Sequence, residues 1–322
     1  MRQIALLTGS LLFGSLLFNM TAFAADPALL NLVMPDAQII AGVNVTTAEI
    51  SPFGQFVLSR IGSNDPGLQA FIAQTGFDPR QDVTEILAAS NANTASPGGL
   101  LLVKGTFNPA QIVAAVAGHA NQQVSTYAGA PLITGTEAKT PHALAFVGSS
   151  IAVAGDLASV KAALDRNSAT NSIDPALATQ VQSLSETEDA WSVSMAALAA
   201  LVPAGVAAPG IGGAVLQLGT KIVSSSGGIK FGANVQVTAQ AIADNAQDAG
   251  SIADLVRMLA GIASMGAAQN PQAATVAQLL QGLQVTTSGT AVNIAASVPE
   301  TQLEALLHPA AAARPAVRNR RL

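Results

Sequence analysis

Histidines and carboxylates are the residues of this chain that could take part in acid–base catalysis or bind a metal ion. The three histidines are isolated from one another, and none has a second histidine at the spacing that would place two ligands on one helix face: His119, His142 and His308. An isolated histidine is more often exposed or hydrogen-bonded within the fold than catalytic. This pattern therefore predicts no metal-binding residues.

Carboxylate pairs are the second candidates, because a glycoside hydrolase can work with two of them. Three groups are close in sequence, namely Asp78 with Asp82, Glu186 and Glu188 with Asp189, and Asp244 with Asp248. We interpret the first group as a helix cap, the second as a solvated loop before a strand, and the third as a turn and helix start. With one Trp and one Tyr, the chain also has few aromatic residues for a carbohydrate site.

Nucleophile and cofactor motifs are also missing from the sequence. It has no G-x-S-x-G elbow, no S-x-x-K motif and no P-loop, and the run 210–213 lacks the third glycine and the preceding strand of a dinucleotide site. The absence of cysteine excludes thiol catalysis, disulfides and cysteine-ligated metals. We therefore predict no catalytic, cofactor-binding or metal-binding residues and no cofactor, and we expect a non-enzymatic protein.

Charged residues make up only 10% of the 322 residues, against roughly a quarter in an average soluble domain. The net charge of -5 and the pI near 5.1 argue against a nucleic-acid partner. The mean hydropathy is +0.43, but alanine is the commonest apolar residue and aromatic residues make up only 4% of the chain. We therefore predict no transmembrane span in the mature chain.

The first 24 residues have the pattern of a secretory signal peptide. Arg2 precedes an apolar run over residues 4–18, and Ala22 and Ala24 supply the small side chains that a signal peptidase requires. Glycine and serine interrupt the run, which is also shorter than a membrane anchor needs. The sequence predicts cleavage between Ala24 and Ala25 and a periplasmic or secreted location.

The C-terminal residues 309–322 are rich in alanine and contain four arginines and no acid: Arg314, Arg318, Arg320 and Arg321. This composition predicts a disordered basic tail. The tail is either solvated chain or a contact for an anionic envelope surface or an acidic partner.

Helix starts are marked by a capping residue followed by proline. The side-chain oxygen accepts an orphan backbone N–H, and proline at the first helical position loses no hydrogen bond. Seven such pairs begin at Asp26, Ser51, Asp65, Asp78, Asn108, Asp174 and Asn270.

Strands are predicted from alternation of apolar and polar residues. The longest such segment is 229–241, and others are 38–45, 100–104, 143–147, 151–154, 191–195, 285–287 and 292–297. Turn residues at 148–150 and 288–289 predict two hairpins. Because the long segment has one polar face, we expect a mainly antiparallel sheet with helices packed on one face, which is an α+β fold.

The two hairpins suggest an internal repeat. Each is followed by a short helix and preceded by a strand and a helix, so the order of elements is similar in the two parts of the chain. We predict two related α+β halves, residues 25–167 and 174–308, separated by the segment NSATNSI. Coincidence of common element orders remains the alternative.

An uncharged stretch, 190–220, contains Pro203, Pro209 and several glycines, which break the pattern of a membrane span. We interpret it as a buried helical pair joined by a turn. The alternative is that it lines a cavity for an apolar ligand.

Three strings of the sequence resemble a group of secreted proteins of unknown function from soil acidobacteria and relatives. They are PDAQIIAGVNV with SPFGQFVLSRI, LQAFIAQTGFDPRQDVTEILAAS, and GGLLLVKGTFNP. The similarity extends over about 35–307 and includes no catalytic residue. It implies an exported, duplicated α+β protein and no particular activity.

Three functions stay open at this point. The first is a non-enzymatic envelope or periplasmic protein that binds a partner or has a structural role. The second is a carrier or sensor of an apolar small molecule that uses the Ala/Gly-rich helices of the second half. The third is a hydrolase whose site is assembled from distant residues.

Overall fold

Twelve strands form one continuous antiparallel sheet. The computed structural model describes residues 24–60, 65–93, 98–117, 121–135, 141–167, 173–197, 213, 217–266 and 282–307. The strands are β1 Ile39–Asn44, β2 Val83–Ser90, β3 Gly99–Gly105, β4 Gln122–Tyr127, β5 Ala130–Gly135, β6 His142–Val147, β7 Ile151–Asp156, β8 Ala190–Ser194, β9 Ile222–Lys230, β10 Asn234–Ala243, β11 Gln284–Ser288 and β12 Ala291–Pro299. Their order across the sheet is β11-β12-β10-β9-β8-β1-β2-β3-β7-β6-β5-β4.

The helices begin largely where capping residues precede proline. They are α1 Pro27–Leu32, α2 Val45–Ile50, α3 Pro52–Arg60, α4 Pro66–Thr75, α5 Pro109–Val116, α6 Leu157–Arg166, α7 Pro175–Thr187, α8 Ala246–Gly266 and α9 Glu300–Leu307. The predicted starts after Asp26, Ser51, Asp65, Asn108 and Asp174 are confirmed. The helix predicted after Asp78 is wrong, since a turn leads there directly into β2, and the start predicted at Asn270 lies outside the described residues.

The predicted strands are confirmed, with one division and several additions. The long segment 229–241 contains the last two residues of β9, a turn at 231–233 through which the alternation continues, and most of β10. Strands β2, β4 and β5 and most of β9 were not expected from the sequence. Both predicted hairpins are present, and Gly148 and Gly289 adopt the positive φ angles that their turns need, 62° and 58°.

Helices cover both faces of the sheet rather than the one face expected. On the first face, α1, α6 and α7 pack over a core that includes Leu87, Leu102 and Val153. On the second face, α4 and α5 pack over Val103 and Ala152, and α8 packs over a separate cluster at β9, β10 and β12. Successive strand residues point to opposite faces. Because helices cover both faces, the strands carry apolar side chains on both. The predicted α+β class with a mainly antiparallel sheet is confirmed.

The two parts of the chain meet where β1 pairs with β8. Outward from this pair, the order is β1-β2-β3-β7-β6-β5-β4 on one side and β8-β9-β10-β12-β11 on the other. A helix precedes β1 and β8, another follows β3 and β10, and a third follows β7 and β12. The division into two related halves at 167–173 stays a prediction, and residues 168–172 of that segment lie outside the described residues.

Asp156 joins the start of α6 to strand β3. Its carboxylate accepts hydrogen bonds from the N–H groups of Ser159, at 2.8 Å, and Gly99, at 3.3 Å. Burial raises the pKa of Asp156, but the hydrogen bonds from Ser159 and Gly99 outweigh this effect and hold the pKa below its usual value.

We expect Asp156→Asn to lower the free energy of unfolding by about 1 kcal/mol at neutral pH. The amide keeps one acceptor oxygen for Ser159 but loses the negative charge at the helix start and the second acceptor for Gly99. Because the native pKa is depressed, the contribution of the carboxylate is present above pH ~4 and is lost as the pH falls through the native pKa. Urea unfolding of both proteins from neutral to acid pH measures this, and the two stabilities should converge in acid. A difference that stays constant over the whole range would contradict it.

Candidate apolar binding site

A cavity lies on the second face of the sheet, between strands β2, β3, β6 and β7 and the helices α3, α4 and α5. Its volume is about 400 Å³, which falls within the roughly 300–1,000 Å³ of typical ligand pockets. Every lining residue that the structure describes is apolar: Val45, Leu58, Phe71, Phe77, Pro79, Val83, Ile86, Leu101, Val103, Phe107, Ile112, Leu144, Phe146, Ala152 and Ala154. The cavity therefore offers dispersion contacts and desolvation, and none of the lining side chains in the described ranges could recognise a polar group.

Phenylalanines connect the helices over the cavity to its floor. The rings of Phe71 and Phe77 are 6.4 Å apart, those of Phe77 and Phe107 are 5.1 Å apart, and those of Phe107 and Phe146 are 5.7 Å apart. These separations are typical of attractive aromatic pairs. Four of the ten phenylalanines of the chain line this one cavity.

The floor of the cavity leaves a large apolar side chain uncovered. Leu101 on β3 is 43% exposed, although its neighbours Leu100 and Leu102 are buried on the first face. Val103, two residues along the same strand, faces the cavity as well. Exposed leucine on the central part of a sheet is unfavourable in water, and an apolar ligand would remove that cost.

A second hollow, of about 590 Å³, continues along the same face across β1, β8, β9 and β10. Ile86 lines both hollows. The lining is mostly Ala, Gly and Ser, so this part of the sheet has a flat surface. Ala190 and Ser192 belong to the stretch expected to line an apolar site, but residues 198–212 of that stretch, including most of the predicted helical pair, lie outside the described residues.

The candidate carboxylates do not come together at either hollow. Asp78 accepts hydrogen bonds from Arg80, and Asp82 accepts one from the N–H of Asp78, at 2.7 Å, so both stabilise the turn before β2. The hydrogen bond from Arg80 holds the pKa of Asp78 below its usual value. Asp248 lies in the first turn of α8, as predicted, and donates its N–H to the side-chain oxygen of Asn245, which caps the helix.

The prediction of a solvated loop at Glu186, Glu188 and Asp189 is wrong. Only Glu186 is exposed. Glu188 accepts a hydrogen bond from Thr238, at 3.0 Å. Asp189 is 3% exposed, and its carboxylate accepts from the ammonium of Lys230, at 2.7 Å, and from the N–H of Phe231, at 2.6 Å. The acid therefore holds the turn between β9 and β10 against the start of β8.

A charged cluster at the start of α1 was not expected from the sequence. Asp26 caps the helix and pairs with Lys104 on β3, while its N–H donates to Glu85 on β2, at 3.1 Å. Burial would raise the pKa of Asp26, but hydrogen bonds from Lys104 and Ala28 hold it low. Burial raises the pKa of Glu85. Glu85 is 59 positions and Lys104 is 78 positions from Asp26 along the chain, so local spacing could not reveal the cluster.

Of the histidines, His142 is exposed at the start of β6, and His119 and His308 lie outside the described residues. Within the described ranges, no three His, Asp or Glu side chains are close enough to hold a metal ion. Among the helices that the structure describes, none is long and apolar enough to cross a membrane.

The architecture resembles that of TP0453, which has been solved in several crystal forms. Crystal form III superposes with a TM-score of 0.55 at 12% identity, covering 88% of this chain and 98% of that one. Crystal form IV gives 0.52 at 12% identity, covering 89% and 98%. The two proteins share a fold. No family model and no curated protein matches the sequence.

The fold shared with TP0453 accounts for nearly the whole of both chains, so the long sheet is not a feature of this sequence alone. At 12% identity the likeness carries no residue roles. The resemblance to acidobacterial secreted proteins stays a prediction, since TP0453 does not bear on it.

Sequence reasoning missed the apolar cavity, since it placed a ligand site in the second half. The available signal was the concentration of phenylalanine between Phe53 and Phe107, in a chain with few aromatic residues. Sequence periodicity describes one helix or strand at a time. The residues that line this cavity come from several elements between positions 45 and 154, so periodicity could not reveal it.

Proposed function

We propose that this chain is an exported, non-enzymatic binding protein whose ligand is an apolar molecule or the apolar part of an amphiphile. The observation that carries the proposal is the cavity between the second face of the sheet and α3, α4 and α5, whose described lining is wholly apolar. Burial of apolar surface contributes roughly 25 cal/mol per Å². A ligand that fills such a cavity therefore binds without any specific polar contact.

An exposed apolar side chain in the cavity supports this proposal. Leu101, on the β3 part of the floor, is 43% exposed. The hollow over β1, β8, β9 and β10 is a separate surface beyond Ile86. We expect the hydrocarbon of a ligand to occupy the cavity and not this hollow.

The proposed location is the periplasm or the extracellular space, and its basis is the predicted signal peptide. Residues 1–23 lie outside the described residues, and N-terminal sequencing of the exported protein tests the predicted cut before Ala25. A partner for the basic tail remains a separate proposal, because 308–322 also lie outside the described residues.

Filling the cavity should remove ligand binding. We expect Ala154→Trp, on the β7 part of the floor, to weaken binding of a fluorescent fatty acid at least tenfold, because the indole occupies the space of the hydrocarbon. Titration of the purified chain with cis-parinaric acid measures the affinity, and native mass spectrometry measures the stoichiometry. Circular dichroism checks that the variant is folded.

Ala239→Trp is the matched control, because Ala239 lies on the same face of the sheet but lines only the neighbouring hollow and the opposite side of β10. This control should bind the probe with unchanged affinity. Loss of binding in Ala239→Trp with retention in Ala154→Trp would move the site to the open hollow. Failure of the unmodified chain to bind any apolar probe would overturn the proposal.

A further inference from the structure

The predicted start of the processed chain lies beside a half-buried acid. Ala25 is 6% exposed and belongs to the main core cluster, so this end of the chain is packed into the fold. The next residue, Asp26, donates its backbone N–H to Oε1 of Glu85, at 3.1 Å. Glu85 is held in place by strand β2, whose register sets it opposite Lys104 on β3.

The charges of this cluster are not balanced in the unprocessed chain. Asp26 and Glu85 are both acids, and Lys104 forms its ion pair with Asp26. Within the part of the chain that the structure describes, no basic side chain forms an ion pair with Glu85. The charge of Lys104 acts on Glu85 from the neighbouring strand, but burial still raises the pKa of Glu85. A cation in direct contact would therefore stabilise its carboxylate.

We propose that Glu85 binds the α-ammonium group created at Ala25 when the leader is removed. Hydrolysis of the Ala24–Ala25 bond adds the hydroxyl of water to the Ala24 carbonyl carbon and leaves Ala25 as a free amine, which takes up a proton. Backbone nitrogens of consecutive residues are at most about 3.7 Å apart. The nitrogen of Ala25 is therefore at most about 6.8 Å from Oε1 of Glu85, the sum of this spacing and the 3.1 Å hydrogen bond from Asp26, and the freed terminus closes the remaining distance to form the ion pair.

The new ion pair would link the mature amino terminus, helix α1 and strands β2 and β3. Before cleavage the same nitrogen is an uncharged amide and cannot neutralise Glu85. Removal of the leader would thus stabilise the native state as well as release the chain. This inference depends on the predicted cleavage site and is independent of the apolar ligand.

A double-mutant cycle on the exported, processed protein tests the proposal. Insertion of Gly-Ser between Ala24 and Ala25 moves the ammonium two residues away, and N-terminal sequencing verifies the new end. We expect this insertion to lower the folding equilibrium constant about three- to tenfold in the unmodified background and to have almost no effect in Glu85→Gln. Equal losses in both backgrounds would overturn the proposal.

Glu186→Gln is the matched control for the cycle, because Glu186 is an exposed acid on α7, far along the chain from the terminus. The insertion should cost as much in this variant as in the unmodified chain. A smaller loss here would show that the cycle reports net charge instead of a specific pair.

Amine reactivity gives a second test that needs no variant at Glu85. We expect the α-amine of the folded, processed chain to react at least tenfold more slowly with an acylating reagent at neutral pH than the amine of the free peptide ADPALL. Mass spectrometry of the N-terminal fragment separates this amine from lysine side chains. Equal rates for protein and peptide would overturn the proposal.

Discussion

Gly42→Ala is expected to destabilise the protein by about 3 kcal/mol, at the upper end of the usual cost of overpacking a core. Gly42 on β1 lies directly opposite Trp191 on β8. A Cβ atom at position 42 would be 2.5 Å from Cζ2 and 2.6 Å from Cε2 of the indole. Trp191 is 7% exposed and belongs to the main core, so moving the indole away from position 42 disrupts the packing around it.

The single tryptophan of the chain makes this change visible by fluorescence. Displacement of Trp191 toward solvent should shift its emission to longer wavelength in the folded variant, and urea unfolding should give the loss of stability. Replacing the indole by a smaller side chain, as in Trp191→Leu, should make the alanine at 42 nearly neutral in the double variant.

Gly99→Ala is the matched control. Gly99 begins strand β3, and the nearest atom to a Cβ there is the carbonyl oxygen of Ala89, at 3.9 Å, which is ordinary contact. This variant should lose little or no stability. If Gly42→Ala and Gly99→Ala behave alike, the indole does not restrict the space at Gly42.

Asp189→Ala is expected to cost about 3 kcal/mol, the lower end of the range for breaking a buried ion pair. The substitution leaves the N–H of Phe231 without its acceptor and Lys230 without its counter-ion. Because the Lys230 side chain is 49% exposed, water replaces part of its lost interaction, which keeps the cost below that of a fully buried pair. Urea unfolding measures the change.

Asp189→Asn separates the contribution of the hydrogen bond from Phe231 from that of the ion pair with Lys230. Asp189→Asn keeps an oxygen that can accept from Phe231 but removes the charge, so it should cost less than alanine. Glu186→Ala, three residues earlier on the exposed side of α7, should change stability by less than about 0.5 kcal/mol. A loss in Glu186→Ala as large as that in Asp189→Ala would show that the pair with Lys230 contributes nothing specific.

Local signals determined most of the secondary structure. A capping side chain and a following proline act within one turn, so the helix starts at Asp26, Asn108 and Asp174 could be predicted without tertiary information. The pair at Asp78 has the same two residue types, yet the chain turns there. Arg80 binds the carboxylate of Asp78, and the β2 pairing that begins at Val83 leaves no length for a helix.

Strand alternation could not show how many strands a segment holds or which face each residue occupies. The pattern at 229–241 passes through a turn without interruption, because the three turn residues continue the alternation of the strands on either side. Apolar residues on both faces of β3, as at Leu101 and Leu102, follow from helices on both sides of the sheet.

The sequence by itself determined the α+β class, the antiparallel sheet, the hairpins and most helix starts, because each depends on residues a few positions apart. Only the tertiary structure decided that β1 and β8 join the two parts in one sheet, that Asp189 is buried, and that phenylalanines from separate elements enclose a cavity. Those features depend on contacts between distant residues, and the free energy of such contacts is not encoded in local spacing.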